Sequence, residues 1–293
     1  MDMNIGIVGA GKVGCALAVG LKNNGFNISG VYSRSSNSQK YLCAKLGKAF
    51  ESNLEETIKN SELIFISVSD NNIIQVSEEI AQKIDDDILC SKTFIHLSGA
   101  LTTKALKPLG DLGAYTGSLH PIQSIADKDN GWKKLYNIYY GFEGCEEALK
   151  QALSIVKSFE SRLIKIKEQD KTLYHAAACI ISNYTVTLSY AAHEILENIG
   201  FDGKTAHEAF LPLITNTVDN IERLGSVGAL TGPVSRGDHS VIEEHIKALD
   251  SLDKNLKNIY KVLGRKTIEI ARKKGTLTDD RAEKLMKICD SKV

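Results

Sequence analysis

His120 stands in the stretch SLHPIQS (118–124). Histidine ordinarily titrates near neutral pH and can hold or move a proton. A residue before proline is pushed toward extended geometry. Ser118-Leu119-His120 is therefore expected to complete a strand that ends at Pro121, with the imidazole at its carboxyl edge. A second histidine, His175, opens a polar stripe: His175, Cys179, Ser182 and Asn183 share one face of a long apolar helical pattern and span ~12 Å of its axis. Proton transfer beside a reacting carbon is the chemistry such groups allow, with His as donor or acceptor and amide or hydroxyl groups orienting the substrate. Plainer readings stand beside this one. His120 can be a polar residue finishing a strand. His175 can be a buried imidazole bonded to a carbonyl, or part of a polar packing surface between domains, although burying His, Ser and Asn together without use is costly. Cys179 is read as a small packing residue. Gln123 and Ser124 are secondary candidates. His193 shares the helix face but lies ~27 Å further along the axis, too far to serve the same place.

A third group is Arg236 and Asp238 in LTGPVSRGD (230–238). Arg236 would hold an acidic group, with Asp238 orienting the guanidinium. The alternative is a capped turn in which Gly and Pro break the chain and Ser240-x-x-Glu243 forms the capping box of the next helix. A cell-adhesion reading of Arg-Gly-Asp has no support without an export signal.

These groups must be positioned by something. Up to residue 167, short apolar runs alternate with helical patterns, which predicts a mostly parallel, doubly wound sheet covered by helices. The runs are 4–9, 27–33, 62–69, 93–98, 113–120, 137–143 and 162–167, with periodic stretches at 12–24, 71–84 and 145–159. ELIFISVS (62–69) is apolar on both parities, as expected of a central strand buried on both faces. From Gln169 to Ile199 there is no Gly or Pro. This predicts one helix of ~30 residues or ~45 Å, ended by Gly200 and lying inside the second domain because it is apolar on most sides. Helical stretches follow at 203–224, 239–262 and 264–274. The expectation is an α/β domain at 1–167 and an all-α domain at 168–293.

The first run leads into Gly9-Ala10-Gly11-Lys12-Val13-Gly14, a G-x-G-x-x-G pattern between a strand and a helix. Gly9 permits the tight turn, Gly11 leaves room for a pyrophosphate, and Gly14 lets helix and strand pack closely. The helix N-terminus then offers N–H groups and a positive dipole end to phosphate. A glycine-rich structural turn is the alternative. At the end of the second strand stand Ser33, Arg34, Ser35 and Ser36, with no carboxylate to hold a ribose 2′-hydroxyl. Arg34 can pair with a 2′-phosphate and stack on adenine, which favours NADP over NAD; the alternative is a solvated Arg in a polar loop. Val68 and Ser69, at the carboxyl end of the central strand, should lie beside the cofactor. Asp70 is read as the N-cap of a helix that starts at Asn71. Ser98 either faces the nicotinamide or satisfies a turn.

The motifs GIVGAGKVG (6–14), HLSGA (96–100), SLHPIQS (118–124), YHAAACIISNY (174–184) and LTGPVSRGD (230–238) run in order along nearly the whole chain. On them the sequence resembles the family that joins a Rossmann-like domain to a helical domain of unknown function. It is similar, more distantly, to pyrroline-5-carboxylate reductase, ketopantoate reductase and the 6-phosphogluconate dehydrogenase-like superfamily. The resemblance implies a Rossmann domain, an all-α domain like the C-terminal domain of 6-phosphogluconate dehydrogenase, and an NADP-dependent oxidoreductase whose active site lies between the domains. It supplies no substrate. Relatives in the superfamily carry Lys-x-x-x-Asn on the long helix, with Lys as proton donor. Asn183 matches the Asn, but position 179 is Cys, and His175 one turn earlier is the candidate to replace the lysine.

Composition narrows the classes. Of the 293 residues, 43% are hydrophobic and 25% charged, and Lys+Arg equals Asp+Glu at 36 each. That is an ordinary globular composition with no overall field for nucleic acid or anionic lipid. No apolar run approaches ~18 residues, so no membrane span is expected. The first strand is expected almost at Met3, which leaves no room for a charged-then-apolar leader. Cys15, Cys43, Cys90, Cys145, Cys179 and Cys289 form no C-x-x-C pair. This predicts neither a disulfide framework nor a metal site, and fits reduced thiols in the cytoplasm. The sequence reading is thus an NADP(H)-dependent oxidoreductase for a small polar, anionic keto, hydroxy or imine compound, with packed long helices making a homodimer. A non-catalytic NADP(H)-binding regulator or redox sensor is the rival.

Overall fold

The computed structural model describes residues 3–48 and 53–291. The chain divides into two compact units, residues 1–184 and 185–293.

The first unit is built, in order, from β1 (Asn4–Val8), α1 (Lys12–Asn23), β2 (Asn27–Tyr32), α2 (Ser36–Leu46), α3 (Leu54–Lys59), β3 (Leu63–Ile66), α4 (Asp70–Lys83), α5 (Asp86–Leu89), β4 (Thr93–His96), α6 (Lys107–Gly110), β5 (Tyr115–Pro121), β6 (Tyr139–Gly144), α7 (Glu146–Ser158) and β7 (Arg162–Lys165). It closes with the first half of α8 (Lys171–Asn198). The seven strands form one sheet in the order β2-β1-β3-β4-β5-β6-β7. All neighbours are parallel except β5 and β6. Each strand is shorter than its apolar run. β3, for instance, stops at Ile66, and Ser67–Ser69 leave the ladder to lead into α4.

Both faces of the sheet are covered. Leu63, Phe65, Ile95 and Leu119 pack with residues of α1 and α7 on one side. Ile64, Ile66 and Phe94 pack with Ile73 and Ile80 of α4 on the other. The double apolar parity of the central run thus has a direct cause, and each fully buried Ile or Phe contributes ~2 kcal/mol of burial. The strand order turns back at β1/β3, so a crevice opens at their carboxyl ends. β5 runs parallel to β1, β3 and β4, so His120 lies at that same edge of the sheet.

Three local expectations are corrected. Ser69, not Asp70, is the N-cap of α4; Asp70 is already in the first turn, and Ser69 Oγ accepts from Asn72 Nδ2 at 2.6 Å. The capping box at Ser240 does not form, because α11 (His239–Leu252) starts two residues earlier than a Ser240 cap requires, with Asp238 at the cap position. The helical run after it breaks at Asp253 rather than after residue 262. Asp253 leaves helical geometry and accepts from Asn255 N at 2.5 Å and Leu256 N at 2.9 Å, so it starts α12 (Lys254–Lys274).

The second unit contains the rest of α8, then α9 (Gly203–Gly228), α10 (Pro233–Arg236), α11, α12 and α13 (Asp279–Asp290). Gly200 is left-handed after α8 (φ 101°), and the regular part of α9 stops at Gly225 (φ 69°, ψ 166°). Ile242, Ile246, Ile268, Ala271, Leu277, Leu285 and Cys289 form the core of α11–α13. α8 does not lie inside a core as its composition suggested: Lys171 is its one buried residue, and Leu173, Ile180, Ile181, Tyr184, Val186 and Tyr190 are exposed. Among the described residues, no helix is long and apolar enough to cross a membrane.

Candidate active site

Two concavities of the first unit hold candidate site residues. One, of about 360 Å³, lies at the carboxyl ends of β1 and β3 and is lined by Gly9, Ala10, Gly11, Ser33, Arg34, Ser35, Val68 and Ser69, with Lys128 opposite in the chain. Its floor is set by close packing. Gly9 has φ 106°, and a Cβ there would meet Ser67 O at 2.5 Å; a Cβ on Gly14 would meet Gly9 O at 2.2 Å. At Gly11 the same test finds nothing nearer than Ser67 O at 3.9 Å, so the chain is open toward the cleft. Gly11 caps α1, whose first turn has no acidic residue and no side chain on its N–H groups. Lys12 and Val13 follow on that turn and do not line the cleft, and Gly14 is buried beneath it.

The walls suit an anion. Arg34 makes no hydrogen bond or ion pair with any described residue, so its guanidinium is available. Ser33 N donates to Gln39 Oε1, and Ser35 Oγ accepts from Ser38 N as the cap of α2. Of the residues lining the cleft, Glu79 is the carboxylate, and Lys83 Nζ lies 2.6 Å from it. A dinucleotide phosphate placed there would meet a helix N-terminus, an uncommitted Arg and Lys128, with one neutralised carboxylate. These residues fit an NADP-type cofactor.

The second concavity, about 440 Å³, is lined by His120, Gln123, Ser124, His175, Cys179, Ser182 and Asn183. β5 brings His120, the segment after it brings Gln123 and Ser124, and the first half of α8 brings the rest. His120 Nδ1 is 2.7 Å from Tyr174 Oη, and His175 Nε2 is 3.5 Å from Cys179 Sγ. His175 Nδ1 is buried without a hydrogen-bond partner among the described residues. A Cβ at Gly99 would lie 2.6 Å from it and 2.9 Å from the His120 ring, so Gly99 is the seat of both imidazoles. Opposite His120 in register is Gly141, where a Cβ would strike Tyr174 Oη at 2.5 Å.

Burial controls the protonation states. Desolvation holds His120 at about 4, with the charges of His175 and Lys171 acting in the same direction. Burial raises Tyr174 to about 12. At neutral pH the pair is a neutral imidazole and a protonated phenol, so one O–H or N–H proton is shared between Oη and Nδ1.

Beneath the pocket lies a buried polar row that crosses three strands: His96 pairs in register with Ser118, and Ser118 with Glu143. His96 Nδ1 accepts from Ser98 N at 3.2 Å, while Nε2 lies 3.2 Å from Thr102 O. Ser98 Oγ accepts from Ala100 N and Leu101 N, so its side chain serves the turn. Both Glu143 oxygens are taken by Thr103. Lys171, 0% exposed, donates from Nζ to Ser118 Oγ, and Ser118 Oγ reaches Ser98 O at 3.1 Å.

In the second unit Arg236 Nε and Nη2 meet Asp238 Oδ2 at 2.9 and 2.8 Å. This explains why Asp238 caps no N–H: its carboxylate is turned to the guanidinium. His193 packs against His207, with ring centroids 5.6 Å apart.

Sequence reasoning passed over Tyr174, Gly99 and Lys171. Tyr174 and Gly99 were inside motifs already singled out, and each sits beside a named histidine. Lys171 had a subtler signal: a cation in the first turn of a helix opposes the helix dipole and needs another reason to be there.

Residues 1–121 match the model of a Rossmann-like domain. Residues 138–267 match that of a domain of unknown function, DUF2520. The chain joins a Rossmann-like domain to DUF2520. The DUF2520 match starts just before β6, so it takes in the last two strands of the sheet as well as α7–α11 and most of α12. No curated protein matches the chain. Among solved structures, protein TM1727 of Thermotoga maritima is similar, with 25% identity, 92% of this chain and 99% of that chain covered, and a TM-score of 0.73. The pyrroline carboxylate reductase of Plasmodium falciparum, solved with NADP bound, shares 14% identity over 99% of each chain with a TM-score of 0.56. The imine reductase of Streptomyces aurantiacus shares 12% identity over 97% of this chain and 93% of that one, with a TM-score of 0.57. The last two similarities are of fold.

Proposed function

We propose that this Rossmann-like and DUF2520 chain is an NADP(H)-dependent oxidoreductase acting on a small polar, anionic compound with a keto, hydroxy or imine group. The observation that carries the reading is the meeting of His120 and His175 in one pocket, with Tyr174 bonded to His120 behind it, at the sheet edge where the glycine loop also opens. The phosphate-binding features of the cleft and the NADP held by a structure of similar fold support the cofactor. When bound, NADP(H) supplies or receives the hydride.

The protein's own part is to bind, orient and move a proton. Gly9–Gly11, Ser33–Ser35, Val68 and Ser69 bind the cofactor, with Arg34 on the 2′-phosphate. His120 is the proton carrier, because Tyr174 stands behind Nδ1 and can compensate as Nε2 gains or gives up a proton. His175 presents Nε2 to the pocket, since its Nδ1 is closed off against Gly99. Asn183 orients the substrate, and in the helical region Arg236, set by Asp238, is the candidate to hold an acidic group. The exposed apolar residues of α8, together with Leu213, Val218 and Leu224 of α9, support a homodimer through the helical region. Six free thiols support a reducing, cytoplasmic setting.

The test is consumption of NADPH with a panel of imines, keto acids and ketones, in wild type and His120→Ala. A second reading, a non-catalytic NADP(H)-binding regulator, is favoured by Cys179 in place of the expected lysine. Tight NADPH binding without turnover on any member of the panel would select it.

A further inference from the structure

Lys171 is a buried ammonium for which the acceptor is a hydroxyl. No carboxylate lies within ion-pairing distance among the described residues, and both oxygens of nearby Glu143 are held by Thr103. It also sits at the positive end of α8. Desolvation, an opposing dipole and a weak partner each disfavour a charge there, so its presence is not explained by stability.

Its connections lead to the pocket. Ser118 Oγ accepts from Lys171 and so must give its own proton to Ser98 O, 3.1 Å away. Ser98 precedes Gly99, on which both imidazoles rest. Ser118 and His120 are two apart on β5, so both side chains leave the same face of the sheet. We propose that Lys171 is a positioning residue of the two-histidine pocket: through Ser118 it fixes the Ser98–Gly99 turn, and its buried charge adds to the burial that disfavours a second cation at His120.

The proposal rests on the reading of the pocket as a site of proton transfer. The groups facing His120 are Tyr174, His175 and Lys171 from α8 and Asp70 from α4, with His96 and Glu143 on the flanking strands. Asp70 favours the charged imidazole; Lys171 and His175 oppose it. Lys171 is itself held down to about 8 by burial, partly offset by Glu143. It therefore loses its proton inside an accessible pH range.

The test is imidazole NMR on the full chain labelled with 15N-histidine, which needs neither cofactor nor substrate. In wild type the His120 signals should stay those of a neutral ring down to pH 5 and show a small inflection near pH 8, as Lys171 deprotonates. Lys171→Met and Lys171→Gln should abolish that inflection and move the His120 midpoint upward from about 4. Ser118→Ala, which keeps the charge, should leave the midpoint low. Absence of the inflection in wild type would overturn the proposal even if neither lysine variant folds. So would an unchanged midpoint in a folded lysine variant, or an equal rise in Ser118→Ala, which would assign the effect to general loosening. Loss of the oxidoreductase reading would show separately, as no consumption of NADPH on any member of the panel with these titrations intact.

Discussion

The imidazoles of His120 and His175 lie with ring centroids 6.0 Å apart and planes crossed at 76°. Both rest on the α-carbon of Gly99. An added methyl group at 99 has no space, so Gly99→Ala should push at least one ring aside. Misplacement of ~1 Å at a reacting centre can cost ~10²-fold in rate. NADPH-dependent turnover should fall by about that factor while the melting temperature drops by only a few degrees. Turnover and calorimetry on the same preparation check this, and unchanged turnover would remove the histidines from the chemistry.

The proton carrier can be separated from its partner. His120→Phe should lower kcat by roughly 10²–10⁴-fold, the usual worth of a general acid or base. Tyr174→Phe keeps the ring but removes the hydroxyl on Nδ1, and its loss should be smaller and depend on pH. Cofactor affinity, read by fluorescence titration, should not change in either variant.

Arg34 should decide between the two nicotinamide cofactors. Arg34→Glu is expected to weaken NADPH at least tenfold more than NADH, a difference of about 1.4 kcal/mol or larger. Calorimetric titration with both cofactors is the measurement. Equal loss for the two would mean that Arg34 does not meet the 2′-phosphate.

Acid should weaken the fold through its buried histidines. Desolvation lowers His96 from 6.5 to about 4, as it does His120. Between about pH 6.5 and pH 4 the unfolded chain therefore holds more protons than the folded one, and stability declines as pH falls through that window. For fully buried His96 the loss approaches about 3 kcal/mol at the acid end. His96→Gln should lose less stability than wild type between pH 7 and pH 4.5, read from urea midpoints.

The apolar faces of α8 and α9 predict association. Light scattering should give twice the chain mass, and Val186→Lys should shift the population toward the monomer. A monodisperse monomer in wild type would leave those exposed side chains without a partner.

Much of this was legible in the chain, and the reasons differ from element to element. β3 was visible because double burial leaves Ile64, Phe65 and Ile66 apolar on both parities. His120 was placed at the strand edge by Pro121 alone. The reversal of β6 left no mark, since antiparallel and parallel runs of this length have the same composition. Asp253 was hidden as a helix start because the apolar period continues across it, and the break was expected after residue 262 instead. Gly264 is inside α12, where a Cβ would come within 3.1 Å of Cys289 Sγ. The contacts of Lys171 depend on a register across three strands that no local pattern encodes.

The excursion between β5 and β6, residues 122–138, reaches both concavities. Gln123 and Ser124 border the histidine pocket, and Lys128 borders the phosphate cleft. Transplanting this segment from a relative would therefore retune guest preference and coenzyme preference together. An engineer seeking to alter one alone must work from the other walls: the β2 turn for the coenzyme, α8 for the guest.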